Sequence, residues 1–321
     1  MSVLVFADNS EGKFKKNAFE VTSYGKKVAE LANTNLVVLS INANDTSELA
    51  TYGAEKVLKT TNEKLTAFNA KAYANVIMQA ANKESADIVI IDSSINSLYL
   101  APILAVNLEA GYASNVVALP TTTNPLTVKR KTFSSKAFNF TAFETANKLI
   151  SLAKNSFGLV ENEVSSNEED FSPTLNDDDF NVNSTSVEKT TGKVTIADAD
   201  IVVSGGRGLK GPENWGMIED LAEVIGAATA CSKPVSDLGW RPHSEHVGQT
   251  GKPVSSNLYI AIGISGAIQH LAGVNSSKVK VVINNDPEAP FFKAAEYGIV
   301  GDAFDVVPKL TEKLKEFKSN Q

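Results

Sequence analysis

The strand–helix–strand pattern that decides the fold is plainest in residues 197–233, which read ADADIVVSGGRGLKGPENWGMIEDLAEVIGAATACSK. Two apolar runs in this stretch, Ala199–Ser204 and Ala227–Cys231, predict buried strands. Between them, the apolar side chains of Glu213–Ile225 fall on one face of a predicted helix, and Gly226 follows as its stop. A strand, a helix and a further strand in this order are typical of a parallel sheet covered by helices.

The same alternation extends along the rest of the chain. It predicts an α/β fold with two doubly wound, mostly parallel-sheet domains, of which the C-terminal one is Rossmann-like. In the first half the predicted strands are Val3–Ala7, Leu36–Ile41, Ile88–Ile91 and Val116–Leu119, the predicted helices are Ala18–Leu31 and Glu63–Asn82, and Leu126–Phe133 with Lys136–Phe143 predicts an antiparallel hairpin. In the second half the further predicted strands are Leu258–Ile262, Val279–Ile283 and the region of Ile299–Val300, and a last helix begins near Pro308 and runs through Phe317.

A polar stretch separates the two halves. Between Glu161 and Phe180 there are eight acidic residues and no Lys or Arg, and Ser, Asn and Thr dominate as far as Thr191. This composition indicates a linker or an extended crossover. We therefore predict an N-terminal α/β domain over residues 1–160, an acidic polar linker or crossover over 161–193, and a second domain over 194–321.

Composition excludes several classes of protein. The net charge of −7 gives no overall case for nucleic acid, and the basic run Lys129-Arg130-Lys131 is interpreted as a solvated edge or a partner contact. The single cysteine, Cys231, leaves no intrachain disulfide and no Cys-rich metal cluster. No apolar run reaches the roughly 20 residues of a membrane helix, and the N-terminus lacks the pattern of a signal peptide. We expect a cytoplasmic protein without membrane insertion.

Small and polar residues follow every predicted strand of the second half. The clusters are Ser204-Gly205-Gly206-Arg207, Ser232-Lys233, Gly263-Ile264-Ser265-Gly266, Asn284-Asn285-Asp286 and Gly301-Asp302. Ligands of open parallel sheets bind at the carboxyl ends of the strands. The five clusters are therefore predicted to meet at one crevice.

The first cluster begins a GxGxxG pattern, Gly206-x-Gly208-x-x-Gly211, between a strand and a helix. Glycines there let a backbone approach a phosphate at a helix start, although a tight strand–helix turn explains the pattern as well. The next strand ends in Ser232-Lys233 instead of the acidic residue that holds an NAD ribose, which argues against plain NAD. The glycine-flanked loop His246–Lys252 carries an amide and a hydroxyl and suits the close approach of a planar heterocycle.

Other polar residues leave alternatives open. Ser265 is a predicted N-cap of a helix whose free amides suit a second phosphate oxygen, and its surroundings nearly match a nucleophile elbow except for Ala267. His243-x-x-His246 offers two metal ligands without an obvious third, so no metal site is predicted. His270 lies one turn into the helix after Ser265, either beside the ligand or hydrogen-bonded to backbone.

Four of these motifs stand in the order and spacing of one protein family. They are Val203-Ser204-Gly205-Gly206-Arg207-Gly208-Leu209-Lys210, Val247-Gly248-Gln249-Thr250-Gly251-Lys252, Gly263-Ile264-Ser265-Gly266-Ala267-Ile268-Gln269-His270 and Ile283-Asn284-Asn285-Asp286-Pro287-Glu288-Ala289-Pro290. With them the second half closely resembles the α subunit of electron-transfer flavoprotein. The first half resembles that family more loosely, in its α/β pattern and its hairpin.

The resemblance implies an electron carrier without substrate turnover of its own. It implies FAD in the C-terminal domain and a heterodimer with a β subunit, which holds a structural AMP and packs on the first domain. The flavin would take electrons from dehydrogenases, such as the acyl-CoA dehydrogenases of fatty acid β-oxidation, and pass them to a quinone oxidoreductase of the respiratory chain. The family's FAD positions match here at Arg207, Ser232, Val247, Gly248, Gln249, Thr250, Ser265, Gly266, Ala267, Ile268, Gln269, His270, Asn284, Asp302 and Ala303.

The resemblance also implies roles for single residues. His270 is expected beside flavin O2 and Thr250 beside N5, while Arg207 and Ser265 serve the pyrophosphate, and Asn284 and Asp302 serve the adenosine end. A cation or donor near N1 and O2 stabilises the negative charge that one-electron reduction leaves there, and so raises the first potential.

One position departs from the family, and other functions remain open. Many members carry Arg after the serine at 232, over the flavin ring, whereas Lys233 keeps the charge and loses the planar fork. An NAD(P)-binding Rossmann dehydrogenase would need a catalytic acid or base that the sequence does not reveal, and an adenine-nucleotide-binding interaction protein would hold no flavin. Within the family, a bifurcating member with a second flavin in the partner is a further alternative.

Overall fold

The computed structural model describes residues 2–133, 136–182, 184, 186, 195–196 and 199–320. Two compact units divide the chain, Met1–Val187 and Glu188–Gln321. None of the described helices is long and apolar enough to cross a membrane.

The first unit is built on one large sheet. Its strands are β1 (Ser2–Phe6), β2 (Asn9–Ser10), β3 (Lys13–Phe14), β4 (Asn35–Ile41), β5 (Lys56–Thr60), β6 (Ala86–Ile91), β7 (Ala110–Val116), β8 (Thr122–Thr123), β9 (Leu126–Thr132), β10 (Ala137–Ala142), β11 (Asn147–Leu152) and β12 (Asn167–Asp170). Its α-helices are α1 (Lys16–Leu31), α2 (Ala70–Lys83) and α3 (Ile95–Asn107). The sheet order is β10-β9-β7-β11-β6-β1-β4-β5-β12, with β8 beside β9, while β2 and β3 form a separate small hairpin.

Burial explains why the strands of this sheet read as unbroken apolar runs. All five residues of β1 are buried. Val3 and Val5 point into a core on one face of the sheet, and Leu4 and Phe6 point into a second core on the other. Helices therefore cover both faces, as the doubly wound prediction requires.

The acidic segment that follows lies on the first unit. Strand β12 runs parallel to β5 and adds an edge to the sheet. Lys56 and Lys83 bind the carboxylate of Glu169 at 2.9 and 2.7 Å, and Lys59 binds Glu168 at 3.0 Å. The part of the predicted linker up to residue 182 thus runs along the unit that precedes it, and most of the remainder lies outside the described residues.

The second unit is a parallel sheet with helices on both faces. Its strands are β13 (Ile201–Gly205), β14 (Ala228–Cys231), β15 (Leu258–Ile262), β16 (Val279–Asn284) and β17 (Tyr297–Val300). Its α-helices are α4 (Gly216–Ile225), α5 (Lys233–Asp237), α6 (Ile268–Val274) and α7 (Ala303–Ser319). The order β14-β13-β15-β16-β17 is parallel throughout.

Most predicted elements are confirmed, but the bounds of some are wrong. The hairpin is confirmed by the antiparallel pair β9 and β10, although its central Ser134 and Ser135 lie outside the described residues. The strand predicted over Val116–Leu119 is wrong, because β7 ends at Val116. The last helix starts at Ala303, earlier than predicted, because the Asp302 side chain caps it and Pro308 is accommodated inside it.

Candidate functional site

The order of strands in the second unit places a crevice between β13 and β15. From β13 the chain moves outward to β14 and then crosses back to β15 on the other side of β13. Loops leaving two adjacent strands in opposite directions open a crevice at their carboxyl ends, and ligands of this fold class bind there. The loops after β13 and β15 begin at Gly206 and Gly263.

Glycines bring these two loops into backbone contact. The amide of Gly206 donates to Ile262 O at 2.9 Å, and that of Gly208 donates to Gly263 O at 3.1 Å. A Cβ on Gly206 would lie 2.1 Å from the Gly263 carbonyl oxygen, and one on Gly208 would lie 2.7 Å from the Gly263 Cα. These two glycines therefore let the loops after β13 and β15 cross in contact, which is a reason for glycine that neither sequence-based explanation contained. A short 3-10 turn over Arg207–Leu209, rather than a long helix, follows the first of them.

Further backbone bonds tie the other predicted loops to this crossing. The amide of Ser232 donates to Gly205 O at 3.1 Å, and that of Val247 donates to Cys231 O at 3.0 Å. The amide of Gln249 donates to Gln269 O at 2.7 Å. The loops after β13, β14 and β15 and the loop over 247–252 therefore form one connected group at the carboxyl edge of the sheet.

The loops after β16 and β17 join the same edge. The side-chain amide of Asn284 donates to Ile264 O at 3.1 Å, and the amide of Gly301 donates to Asn284 O at 3.0 Å. The carboxylate of Asp302 accepts from the Phe304 amide at the start of α7 and lies 3.8 Å from Lys210 Nζ. The predicted meeting of all five clusters is confirmed.

The start of α6 differs from its prediction. Ser265 is not its N-cap, because α6 begins at Ile268, and Ala267 occupies the cap position without a side-chain bond. The Ser265 carbonyl instead accepts the Phe291 amide at 3.0 Å. Gly266 has φ +86°, and a Cβ there would lie 2.5 Å from the Phe291 nitrogen, so this turn requires glycine.

Exposure divides the predicted ligand residues into two groups. The first group consists of exposed side chains, namely Arg207, Lys233, Gln249, Thr250, Ser265, Ala267, Ile268 and Gln269. The second group consists of buried or half-buried residues that form the floor, namely Ser232, Val247, Gly248, Gly266, His270, Asn284, Asp302 and Ala303. The exposed group contains cationic, amide and hydroxyl side chains beside backbone turns, which is the chemistry that binds a phosphorylated heterocycle.

His270 lies in the floor of the crevice and is almost completely buried. Only 6% of it is exposed, and its Nε2 lies 3.0 Å from the hydroxyl of Tyr259, which is fully buried on β15. Within the described part of the chain its Nδ1 has no hydrogen-bond partner. Burial, with His246 nearby, lowers the pKa of His270 to about 4, so the imidazole is neutral at pH 7.

Comparison with known proteins decides the family. Residues 195–275 match the electron transfer flavoprotein FAD-binding domain, and residues 3–173 match the electron transfer flavoprotein domain. The electron transfer flavoprotein subunit alpha of Bacillus subtilis is 36% identical over 98% of this chain and 97% of its own length, and that of Thermoanaerobacterium thermosaccharolyticum is 33% identical over 98% of each. The mitochondrial alpha subunit of Dictyostelium discoideum is 53% identical over 130 residues, which are 40% of this chain and 37% of that protein.

The chain belongs to the electron transfer flavoprotein alpha subunit family. Its second unit carries the FAD-binding domain of that family, so the sequence-based recognition is confirmed. An electron transfer flavoprotein of this type combines an alpha chain with a beta partner.

His243 and His246, the pair considered as metal ligands, lie close together in this electron transfer flavoprotein chain. His243 and His246 lie with ring centroids 5.1 Å apart, and His246 is only 2% exposed. Within the described residues, no three His, Cys, Asp or Glu side chains are grouped as metal ligands. Burial lowers the pKa of His246, which indicates a neutral ring packed beneath the loop over 247–252.

Two aromatic residues of the site were missed from the sequence. Tyr259 bonds His270, and Phe291 stacks on Tyr259 with ring centroids 6.3 Å apart and an angle of 4° between the rings. Tyr259 lies inside an apolar strand, where an aromatic residue reads as core. The sequence did contain a clue, because the hydroxyl of a buried tyrosine needs a hydrogen-bond partner.

Proposed function

We propose that this chain is the flavin-holding subunit of a heterodimeric electron carrier. FAD binds at the carboxyl edge of the second unit, and a β subunit that holds AMP completes the dimer in the cytoplasm. Acyl-CoA and related dehydrogenases supply the electrons, and a quinone oxidoreductase of the respiratory chain receives them. The proposal is supported by family membership and by the connected loops at the β13–β15 crevice.

One observation supports the fit of a flavin nucleotide best. The guanidinium of Arg207, the hydroxyl of Thr250 and the amide of Gln269 are exposed at the crevice, and among described residues none forms a side-chain hydrogen bond or ion pair. The buried Nδ1 of His270 likewise lacks a partner in that part of the chain. A buried polar atom without a partner costs free energy unless a ligand or water satisfies it.

The residues divide the work of binding between them. Arg207 and Ser265 serve the pyrophosphate, since a guanidinium pairs with phosphate oxygens in two parallel bonds. Thr250, whose side chain is exposed on its loop, would serve the ring system near N5, and His270 would donate a hydrogen bond near O2. The bound flavin supplies the capacity to take up and release electrons singly or in pairs.

Asn284 and Asp302 hold loops in place in addition to the task at the adenosine end that the resemblance implies. The Asn284 amide group holds Ile264 O, and the Asp302 carboxylate caps α7. Both side chains thus hold loops in place, and each retains spare acceptor capacity on its oxygens for the adenosine end.

An apolar surface along α3 of the first unit is evidence for contact with a partner chain. No charged residue occurs between Ser93 and Leu108, a stretch that includes all of α3. Ile95, Leu98 and Tyr99 are 74%, 59% and 67% exposed, and Val106 is 77% exposed. Exposed apolar stripes of this kind mark protein interfaces. We assign this stripe to the contact with the β subunit.

The central experiment is co-purification of the chain with its β subunit, followed by cofactor extraction. We expect one FAD and one AMP per dimer, with yellow colour retained on gel filtration. Arg207→Ala should lower FAD occupancy, whereas Lys278→Ala, which removes an exposed cation at the amino end of β16 and so at the opposite edge of the sheet, should retain it. A colourless dimer would refute the proposal, and two flavins per dimer would assign the chain to the bifurcating type.

A second experiment tests the assigned interface. Leu98→Asp places a charge on the exposed stripe and should weaken the dimer at least tenfold in a dilution series, because burying a carboxylate is costly. Leu238→Asp, a similarly exposed leucine on the second unit, is the matched control. Equal dissociation constants for the two variants would remove α3 from the interface.

A further inference from the structure

We call the loops that follow β13, β14 and β15, together with the loop over 247–252, the ligand loops. A line of buried polar groups lies beneath them in the second unit. Ser204 lies on β13, Tyr259 on β15 and His270 on α6, and they are 0%, 0% and 6% exposed. The Tyr259 hydroxyl lies 3.0 Å from His270 Nε2. The Ser204 hydroxyl is close enough to the phenol to act against the burial that raises its pKa.

The surroundings of this line decide where its protons lie. Desolvation keeps the phenol of Tyr259 protonated and the imidazole of His270 neutral at pH 7. A neutral imidazole has one donor and one acceptor nitrogen. A buried phenol needs an acceptor for its proton, and His270 Nε2 lies within hydrogen-bond distance of the Tyr259 hydroxyl, so we assign the phenol proton to that nitrogen.

The other nitrogen of the ring faces a different neighbourhood. His270 Nδ1 has no hydrogen-bond partner among described residues, yet the Val247 carbonyl is near enough to raise the imidazole pKa slightly against the effect of burial. Val247 begins the ligand loop, and the next residue, Gly248, packs on the Gln269 carbonyl. The His270 ring therefore lies close to the start of that loop, and its Nδ1 has no partner among the described residues that would compete with a ligand.

We propose that Tyr259 is a positioning residue that donates to Nε2 of His270 and thereby fixes the histidine proton on Nδ1 as a neutral donor for the flavin. The inference rests on the proposed flavin site. It changes the expected source of redox tuning, because a neutral hydrogen-bond donor, held in one tautomer, takes the place of a cation. Phe291, stacked on Tyr259 and 5.9 Å from the His270 ring, keeps the pair dry.

The tautomer is measured directly on the heterodimer with 15N-labelled histidine. The chain has three histidines, so each can be assigned by substitution. We expect a protonated, pyrrole-type resonance for Nδ1 of His270 and an unprotonated, pyridine-type resonance for Nε2 at pH 7. Tyr259→Phe should move both resonances toward the average of the two tautomers. A pyridine-type Nδ1 in the wild type, or unchanged resonances in the variant, would overturn the proposal.

A matched control separates positioning from packing. Tyr24→Phe removes a second buried phenol, which bonds the Ala118 carbonyl at 3.1 Å in the first unit, and should leave the His270 resonances and the flavin potentials unchanged. Tyr259→Phe should lower the first midpoint potential of the bound flavin. A first potential equal to that of the wild type would contradict the role of the phenol.

Two amide variants identify the nitrogen that matters. An Asn side chain places its N–H near the Nδ1 position, and a Gln side chain places it near Nε2. His270→Asn should therefore retain more of the wild-type first potential than His270→Gln, and the reverse order would assign the donor to Nε2. A dimer without flavin would refute the proposed function, but the histidine resonances would still decide the tautomer.

Discussion

Both units have a doubly wound sheet with a crevice where the strand order reverses, but the two crevices differ in chemistry. In the first unit the crevice lies between β1 and β6, since the chain moves from β1 to β4 and β5 and returns to β6 on the other side. Carboxylates follow both strands there, Asp8 after β1 and Asp92 after β6. In the second unit the corresponding loops carry glycines, Arg207 and a neutral His270.

The difference shows that strand order alone does not make a nucleotide site. The Asp92 carboxylate is occupied by the side chains of Asn17, Ser94 and Ser97. Burial and the neighbouring Asp92 raise the pKa of Asp8 to about 6. Two carboxyl groups at this point repel a phosphate, so only the second unit offers its crevice to an anionic ligand.

The largest effect is expected from adding a side chain at the point where the loops after β13 and β15 cross in the second unit. Gly208→Ala places a Cβ 2.7 Å from the Gly263 Cα and should cost about 1–3 kcal/mol in the free energy of unfolding. Flavin occupancy should fall with it. Gly216→Ala is the control, because a Cβ there meets nothing within 4 Å and should be neutral or stabilise by up to about 1 kcal/mol. Equal melting temperatures for both variants would show that the crossing is loose.

The two crevices should respond to acid in opposite directions. His270 has a lowered pKa of about 4, so the second unit should lose stability as pH falls from 6.5 toward 4. Asp8 has a raised pKa of about 6 against 3.8, so the first unit should gain stability over nearly the same range. Each change is of the order of 3 kcal/mol. Hydrogen exchange, followed separately in each unit, measures how the stability of that unit changes with pH.

Two substitutions assign those slopes to single groups. Asp8→Asn keeps an oxygen for the Asn9 amide, which donates to it at 3.0 Å, and should flatten the acid response of the first unit. Glu109→Gln is the control, because that side chain is exposed between α3 and β7. If the first unit keeps its slope without Asp8, another group is responsible.

A smaller effect is expected from Lys233, the exposed cation at the start of α5. An exposed charge contributes about 0.2–1 kcal/mol, so Lys233→Ala should lower the first flavin potential by roughly 10–40 mV. Lys233→Arg should keep or raise that potential, since the charge is retained. Potentiometric titration of the dimer measures the shift, and identical potentials in all three proteins would exclude Lys233 from tuning.

The smallest effect is expected from Lys210→Ala. Lys210 Nζ lies 3.8 Å from Asp302 and 4.7 Å from the centre of the Phe304 ring, but the side chain is 68% exposed. An exposed pair contributes at most about 1 kcal/mol, so the melting temperature should change little. A large loss of flavin in this variant would show that the loop holds the ligand through Lys210 itself.

The second unit was the more predictable half of the chain. Its strands stand as short apolar runs that end in glycine or polar clusters, and β15 is found at Leu258–Ile262 as predicted. The cluster positions follow from the rule that parallel strands end at the same edge. The same pattern could not reveal that Gly206 and Gly208 contact Gly263, because that contact joins residues distant in sequence.

Errors in the first unit have physical causes. Helix α3 was missed because Ile95–Asn107 is apolar on nearly all sides and contains Pro102, so it shows no helical periodicity. Strand β11 was missed because it begins with the polar Asn147 and Lys148 and its short apolar part contains Ser151. The strand β12 is nearly all acidic, and only its ion pairs with the lysines of β5 and α2 explain why it joins the sheet. Tertiary pairing of this kind overrides local propensity.

Strand β12 also makes the stability of this edge of the first sheet sensitive to salt concentration. Its attachment relies on Glu168 and Glu169, whose lysine partners hold the pKa of Glu169 at about 2. Concentrated electrolyte weakens such pairs, while the backbone ladder to β5 alone is short. At high ionic strength these ion pairs weaken, and any opening of β12 would expose the hydrogen-bonding groups of β5, so we expect sheet-to-sheet aggregation to increase with salt concentration.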